Sequence, residues 1–193
     1  ELLKEMKGLV TEHPTWKWLS RVKGIGPILA TKILAMIGDI SYFSTVSKLW
    51  RYAGYAVING QAERLVKGEK SHFNKRLKTA LYLLADSFIK CRSPYRMFYD
   101  RAKEHYRNVH PDWTPLHIDL ASRRKMVKKF LSNLWEVWRE IEGLPKPRPY
   151  VHEYLGHTTY YSPWDYPWDY KETQEEGQEI QEQEDMEQET YLN

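Results

Sequence analysis

Apolar positions along residues 1–145 recur mostly at intervals of three and four, the spacing of amphipathic helices. Leu2, Leu3, Met6 and Leu9 predict the end of a helix over residues 1–10, one that starts before Glu1 in a longer protein. Pro14 opens a short helix carrying Trp16, Leu19 and Val22; another runs from Pro27 to about Ile37, where Gly38-Asp39 ends it. Ser44 is placed to cap a helix through Leu49, Trp50 and Tyr52 to Gly54. The pattern then changes. Residues 55–58 are β-prone, Asn59-Gly60 is a strong two-residue turn signal, and residues 61–66 are the expected return strand. Ser71 is expected to cap a helix from His72 to about Lys90, with Phe73, Leu77, Leu81, Leu84 and Phe88 as its apolar stripe. Ser93-Pro94 starts the next, to about Asn108, lined by Tyr95, Phe98, Ala102 and Tyr106. Thr114-Pro115 starts the longest, to Glu142. Its stripe is Leu116, Leu120, Val127, Phe130, Leu134, Val137 or Trp138, and Ile141, and Gly143 with Pro145 closes it. The expected fold is mainly α, a helical domain with one small β-hairpin.

From Lys146 the composition shifts. Residues 146–170 are rich in Pro, Tyr and Trp, and Pro163-Trp164-Asp165-Tyr166 is repeated at once as Pro167-Trp168-Asp169-Tyr170. This segment is expected to wrap the domain or bind a partner. Residues 171–193 are Glu- and Gln-rich with little to bury, and are expected to be disordered. The organisation read from this is a helix end or linker at 1–13, a helical domain at 14–145, an aromatic extension at 146–170 and an acidic tail at 171–193.

Charge sharpens the division. The net charge of +3 conceals 28 Lys and Arg against 14 Asp and Glu in residues 1–150, and one against 12 in residues 151–193. A basic body with an acidic tail implies a polyanionic partner for the body. Cys91 is the only cysteine, so no disulfide framework forms within the chain, and a reducing, cytoplasmic setting beside the nucleoid is expected. The longest apolar run, near Ile28–Ile37, is interrupted by Lys32 and too short to span a bilayer, so no membrane partner is expected.

The stretch Val22-Lys23-Gly24-Ile25-Gly26-Pro27 is the most informative one. Leu19 and Val22 before it and the small-residue helix after it give the spacing of a helix-hairpin-helix element. Two glycines permit positive φ and leave the backbone bare. Pro27 suits the first helical position, and the free N–H groups of that helix end can accept a phosphate. A plain corner packing the core is the structural alternative. Phosphate contacts are expected from Lys23, Gly24, Ile25, Gly26, Lys32, Lys48, Arg51, Arg64, Lys67, Lys70, Lys75, Arg76 and Lys78, and from Arg124, Lys125, Lys128 and Lys129 within the 123–129 basic segment. Such contacts set position and affinity, not sequence preference, and affinity should fall steeply with salt.

Catalytic signals are sparse. His105, His110 and His117 lack a metal-ligand spacing, and carboxylates in the basic body are scattered, so no metal site and no paired-acid nuclease are expected. Ser71, beside His72 and Lys70, is the nearest candidate nucleophile, with helix capping as its preferred role.

Gly24-Ile25-Gly26-Pro27, then Ile37-Gly38-Asp39-Ile40-Ser41-x-Phe43, Leu49-x-x-Tyr52-Ala53-Gly54 and Asn74-Lys75-Arg76-Leu77-Lys78-x-x-Leu81 together resemble the C-terminal domain of the 110/116/902 family of insertion-sequence transposases. The resemblance covers roughly residues 15–145, with the basic helix at Arg123–Lys129 and Trp135-Glu136-Val137-Trp138 resembling an archaeal or viral-type branch. It implies binding of DNA and of a structured guide RNA, and recombination by serine attack. It also implies an upstream RuvC-like domain whose acids bind divalent metal, so Mg²⁺ is expected only with that domain. The chain is expected to depart from the family in two ways: the RuvC-like domain is not in it, and the expected serine is missing from its loop. The loop after Tyr-Ala-Gly, where the family's serine lies, reads Ala56-Val57-Ile58-Asn59-Gly60-Gln61-Ala62-Glu63.

The readings that stay open at this point are four. The chain is a transposase-like DNA-binding domain, inactive alone; or the C-terminal part of a recombinase completed by an upstream domain or a second chain; or a repair-type helix-hairpin-helix junction binder; or a protein-interaction module using its aromatic segment. A homo-oligomer is compatible with each.

Overall fold

The computed structural model describes residues 1–58, 60–146 and 160–168. Seven α-helices run in chain order among them: α1 (Leu2–Glu12), α2 (Trp16–Leu19), α3 (Pro27–Ile37), α4 (Val46–Ala53), α5 (Lys75–Lys90), α6 (Arg96–Val109) and α7 (Pro115–Ile141). Between α4 and α5 lies an antiparallel pair, β1 (Val57–Ile58) and β2 (Gln61–Ala62), with Val57 opposite Ala62 and Ile58 opposite Gln61. The fold is mainly helical, as the periodicity predicts. The return strand is shorter than the expected 61–66, because only two pairs form before the chain leaves the ladder. The acidic tail and the linker after Lys146 lie outside the described residues.

Several boundaries move for local reasons. Asn74, not Ser71, caps α5: its side chain accepts the Leu77 N–H at 3.0 Å. The Ser71 hydroxyl instead donates to the Phe73 carbonyl at 2.9 Å, holding residues 71–73 in a turn. Thr45 is the N-cap residue of α4, and the Ser44 hydroxyl accepts from Lys48 Nζ at 2.7 Å. Thr114 caps α7 with Pro115 in the first turn, as expected, its Oγ1 accepting the His117 N–H at 3.2 Å.

The core forms where α2, α3, α4, α5 and α7 converge. Trp18, Leu19, Ile33, Leu49, Leu77, Leu81, Leu84, Phe88 and Phe130 are essentially excluded from solvent. Phe88 stacks on Tyr95 at 5.1 Å, and the Phe130 ring meets both edge-on at 5.6 Å. Each such side chain contributes on the order of 2–3 kcal/mol by leaving water. The expected stripe of α7 is displaced at both ends. Leu116, Leu120 and Ile141 are exposed, while Ile118 and Ala121 are buried against Ala102 and Tyr106 of α6. In α1, likewise, Leu3 and Leu9 face solvent and Val10 is buried.

Two polar anchors fix the long helix. Arg139 is buried, donating from Nε to the Pro145 carbonyl at 2.8 Å and from Nη1 to the Ile40 and Phe43 carbonyls at 3.3 and 3.2 Å. Trp135 Nε1 also donates to the Phe43 carbonyl, at 2.6 Å. A buried guanidinium is tolerable here because carbonyl oxygens satisfy it. Asn133 Nδ2 donates to the Tyr95 hydroxyl at 2.8 Å in the same interior.

Residues 160–168 form a strap across this body. Trp18 Nε1 donates to the Pro163 carbonyl at 2.8 Å, and Arg21 Nη2 to the Tyr166 carbonyl at 2.7 Å. Tyr161 and Tyr166 are buried, and Trp168 meets Tyr95 edge-on at 5.1 Å. Pro163 and Tyr166 of the first Pro-Trp-Asp-Tyr unit are therefore buried against the core, while Trp164 and Asp165 stay exposed.

Candidate nucleic-acid interface

The turn between α2 and α3 is asymmetric. Gly24 has φ +102°, a conformation that side chains rarely adopt. A Cβ there would stand 2.8 Å from both Cys91 Sγ and Phe88 Cδ1, and the Gly24 carbonyl accepts from the Ser87 hydroxyl at 2.6 Å. Ile25 is buried beside it. Gly26 differs: its φ of −91° is open to any residue, and a Cβ would meet nothing within 4 Å. The expectation that both glycines supply positive φ is thus corrected to Gly24 alone, since the chain is already extended at Gly26 to enter α3. Gly26 is the N-cap residue of α3, makes no side-chain cap and is followed by Pro27. The hairpin thus has an inward half, Gly24 and Ile25, and an open half at Gly26 and the first turn of α3.

The Lys23 side chain is exposed, but its backbone N–H donates to the Tyr166 hydroxyl at 3.0 Å. The strap therefore satisfies one of the hairpin amides that the sequence reading offered to a phosphate. The only hint of this in the sequence is the Pro-Trp-Asp-Tyr repeat, which does not say where it docks.

A second arrangement centres on Tyr52 and Asn74. The Asn74 N–H donates to the Tyr52 carbonyl at 2.8 Å, Asn74 Nδ2 donates to the Tyr52 hydroxyl at 3.0 Å, and that hydroxyl donates to the Met36 carbonyl at 2.9 Å. Gly54, with φ +76°, lets the Phe73 ring approach to where a Cβ would be 2.7 Å away. This lock joins the end of α4 to the start of α5. It thereby sets Arg51, next to Tyr52, near Lys75 and Arg76, next to Asn74. All three are exposed, as are Lys48 one turn before Arg51 and Lys32 on α3. Arg64, Lys67 and Lys70 are exposed on the loop after β2. Arg64 and Lys70 line a cleft of about 200 Å³ together with Glu63, Ser71, His72 and Phe73.

The remaining cations are partly withdrawn. Lys78 Nζ donates to the Glu63 carbonyl at 2.6 Å and lies 4.4 Å from the Phe73 ring centre. Desolvation, reinforced by the nearby Arg124, holds its pKa below the usual lysine value against the pull of Glu63. On α7, Lys128 lies 4.1 Å from the Trp50 ring centre, and Lys129 donates to the Tyr161 carbonyl at 3.2 Å. Arg124 and Lys125 are half-buried. Arg123 is paired with Asp119 at 2.7 Å; partial burial opposes the Asp119 charge, but the Tyr99 hydroxyl and Arg123 hold that carboxyl below its ordinary pKa. The basic segment of α7 is therefore stitched into its neighbours, a distinction that spacing on one helix cannot make.

Among the described residues no three His, Cys, Asp or Glu side chains gather where a metal ion could sit. His110 and His117 instead stack on the two faces of Trp113, at 4.0 and 3.9 Å. The divalent metal of the resemblance finds no fitting ligand set among the described residues. No described helix is long and apolar enough to cross a membrane.

The turn, the lock and the loop after β2 all lie within one recognisable stretch, and that stretch is transposase-like. Residues 17–100 match the model of the transposase IS116/IS110/IS902 family. Two proteins of Streptomyces coelicolor are similar. A mini-circle protein named as a transposase for IS117 is 30% identical over 136 residues, covering 69% of this chain and 30% of the relative. The uncharacterized 43.6 kDa protein of insertion element IS110 is 29% identical over 101 residues, covering 51% of this chain and 25% of the relative. The chain thus spans less than a third of the length of these relatives. No solved structure matches it. Arg124, Lys125, Lys128 and Lys129 lie beyond the stretch matched by the family model.

Proposed function

We propose that this chain is the DNA-binding region of a transposase-like protein, gripping the phosphate backbone without reading bases. The observation that carries the reading is the Tyr52–Asn74 lock, which gathers Lys48, Arg51, Lys75 and Arg76 as exposed cations at the junction of α4 and α5. Each exposed cation that neutralises a phosphate releases condensed counterions and strengthens binding. Lys32 and the loop cations Arg64, Lys67 and Lys70 extend the surface. The α2–α3 turn acts as a helix-hairpin-helix, with Lys23 and the open first turn of α3 at Gly26 as the phosphate-facing part. A structured RNA offers the same backbone chemistry and is a second ligand of this surface.

The chain does not cleave strands alone in this reading. Ser71 sits in a turn bonded to Phe73, and no serine stands among residues 56–63. Its span of under a third of its relatives favours a second, compatible reading: it is one part of a serine-using transposase completed by a metal-binding domain elsewhere.

The test is duplex binding by fluorescence anisotropy across a salt series. Joint Lys48→Gln, Arg51→Gln, Lys75→Gln and Arg76→Gln substitution should weaken binding and flatten the log K against log salt slope by about 3–4. An unchanged slope with the variant folded refutes the interface.

A further inference from the structure

The strap at residues 160–168 meets the helices chiefly as a hydrogen-bond acceptor. Trp18 Nε1 donates to the Pro163 carbonyl at 2.8 Å and Arg21 Nη2 to the Tyr166 carbonyl at 2.7 Å. The Lys23 N–H donates to the Tyr166 hydroxyl at 3.0 Å, Arg101 Nη1 to the Tyr161 hydroxyl at 2.9 Å and Lys129 Nζ to the Tyr161 carbonyl at 3.2 Å. At the other end of the strap the direction reverses, and the Tyr160 hydroxyl donates to Glu136. The strap itself holds no Lys or Arg, and Asp165 gives it a negative charge. A guanidinium, an ammonium and a hairpin amide are the groups that grip a nucleic-acid backbone. Here strap oxygens occupy them. Arg21 and Lys23 are exposed, so the hairpin end of the strap lies at the surface. Most of the core is built without it. Of the described strap residues only Tyr166 belongs to the main buried cluster, with Trp168 packed against it, and no strand pairing among the described residues ties the segment down.

We propose that the strap is an internal competitor of nucleic acid: it docks on the hairpin where a backbone phosphate would, and gives up Arg21, the Lys23 N–H and Lys129 when the phosphate binds. This rests on the nucleic-acid reading above and adds its regulation. The two occupants draw on different forces. A phosphodiester adds a full Coulomb attraction to Arg21 and Lys129 that a carbonyl lacks. The strap has the apolar area that Tyr161 and Tyr166 bury. Salt screens the first and leaves the second, so rising salt favours the strap.

The experiment measures duplex binding by the full chain across a salt series, using fluorescence anisotropy. Tyr166→Phe frees the Lys23 N–H, and Tyr160→Phe cuts the tie to Glu136; both keep their rings. Each should bind the duplex about two- to tenfold tighter than wild type, the population released by one lost hydrogen bond. The log K against log salt slope should stay the same, because no charge is altered. A strap with only a structural role predicts equal or weaker binding. Arg21→Gln should flatten the slope by about 1. In the wild type, saturating duplex should speed hydrogen exchange at the Trp18 indole N–H, whose acceptor leaves with the strap. A bound duplex with the Trp18 indole still protected, no gain in either Phe variant, or a slope that Arg21→Gln leaves unchanged overturns the competitor and leaves the α4–α5 surface standing. A duplex that binds neither wild type nor variants at low salt overturns the nucleic-acid reading, and the competitor with it.

Discussion

Gly24 and Gly26 look equivalent in the sequence, and the structure predicts opposite outcomes for replacing them. Gly24→Ala puts a Cβ at a φ of +102° and 2.8 Å from Cys91 Sγ and Phe88 Cδ1. The backbone conformation alone costs on the order of 1–3 kcal/mol for a residue with a side chain. Overpacking adds about 1–3 kcal/mol, because Phe88 is wedged against Tyr95 and Phe130 and has no room to retreat. A total loss of about 2–6 kcal/mol is expected, a large fraction of a typical domain's stability. Gly26→Ala meets open space at an unstrained φ. Its gain from a stiffer unfolded chain, about 0.4–1 kcal/mol, is offset by a poorer N-cap, so the net change should stay within about 1 kcal/mol. Urea unfolding followed by tryptophan fluorescence, with Trp18 in the core as a reporter, checks both. Equal midpoints for the two variants would refute the division of the turn into an inward and an open half. The same division makes Gly26→Glu the informative probe of phosphate binding, since Gly24→Glu disrupts the fold.

Three other outcomes follow from the geometry. Tyr95→Phe leaves the buried Asn133 N–H without its acceptor and should cost about 1–3 kcal/mol in urea unfolding; the double change with Asn133→Leu should recover much of it. Tyr166→Phe removes the acceptor of the Lys23 N–H and should cost about 1 kcal/mol while freeing that amide, read as faster hydrogen exchange at Lys23. His13 carries a pKa below 6.5, because partial burial disfavours its charged form more than Glu142 favours it. The unfolded state therefore binds the proton first, and stability present above about pH 6.5 is lost as pH falls. His13→Asn should flatten that acid slope in pH-dependent unfolding; an unchanged slope would exclude His13 as its source.

The legibility of this protein divides along a physical line. Local patterns carried the helices, the Thr114-Pro115 start, the Pro27 first turn and the β-hairpin, because periodicity and capping chemistry act within a few residues. The resemblance to a transposase domain was also legible in the order of Gly24-Ile25-Gly26-Pro27, Leu49-x-x-Tyr52-Ala53-Gly54 and Asn74-Lys75-Arg76, and residues 17–100 match the family model. What a single helix could not reveal was which charges are free. Arg51 and Arg124 look alike in sequence, yet Arg51 lies at an exposed junction made by Tyr52 and Asn74, and Arg124 is half-buried on α7. Nor could it reveal that Tyr166, 143 residues from Lys23, takes a hairpin amide. Whether a cation is solvated, or a backbone N–H already satisfied, depends on segments distant in the chain. The sequence by itself determined the elements and the chemistry on offer. Only the tertiary structure decided how much of that chemistry faces a partner, because burial and hydrogen-bond pairing are properties of the assembled fold.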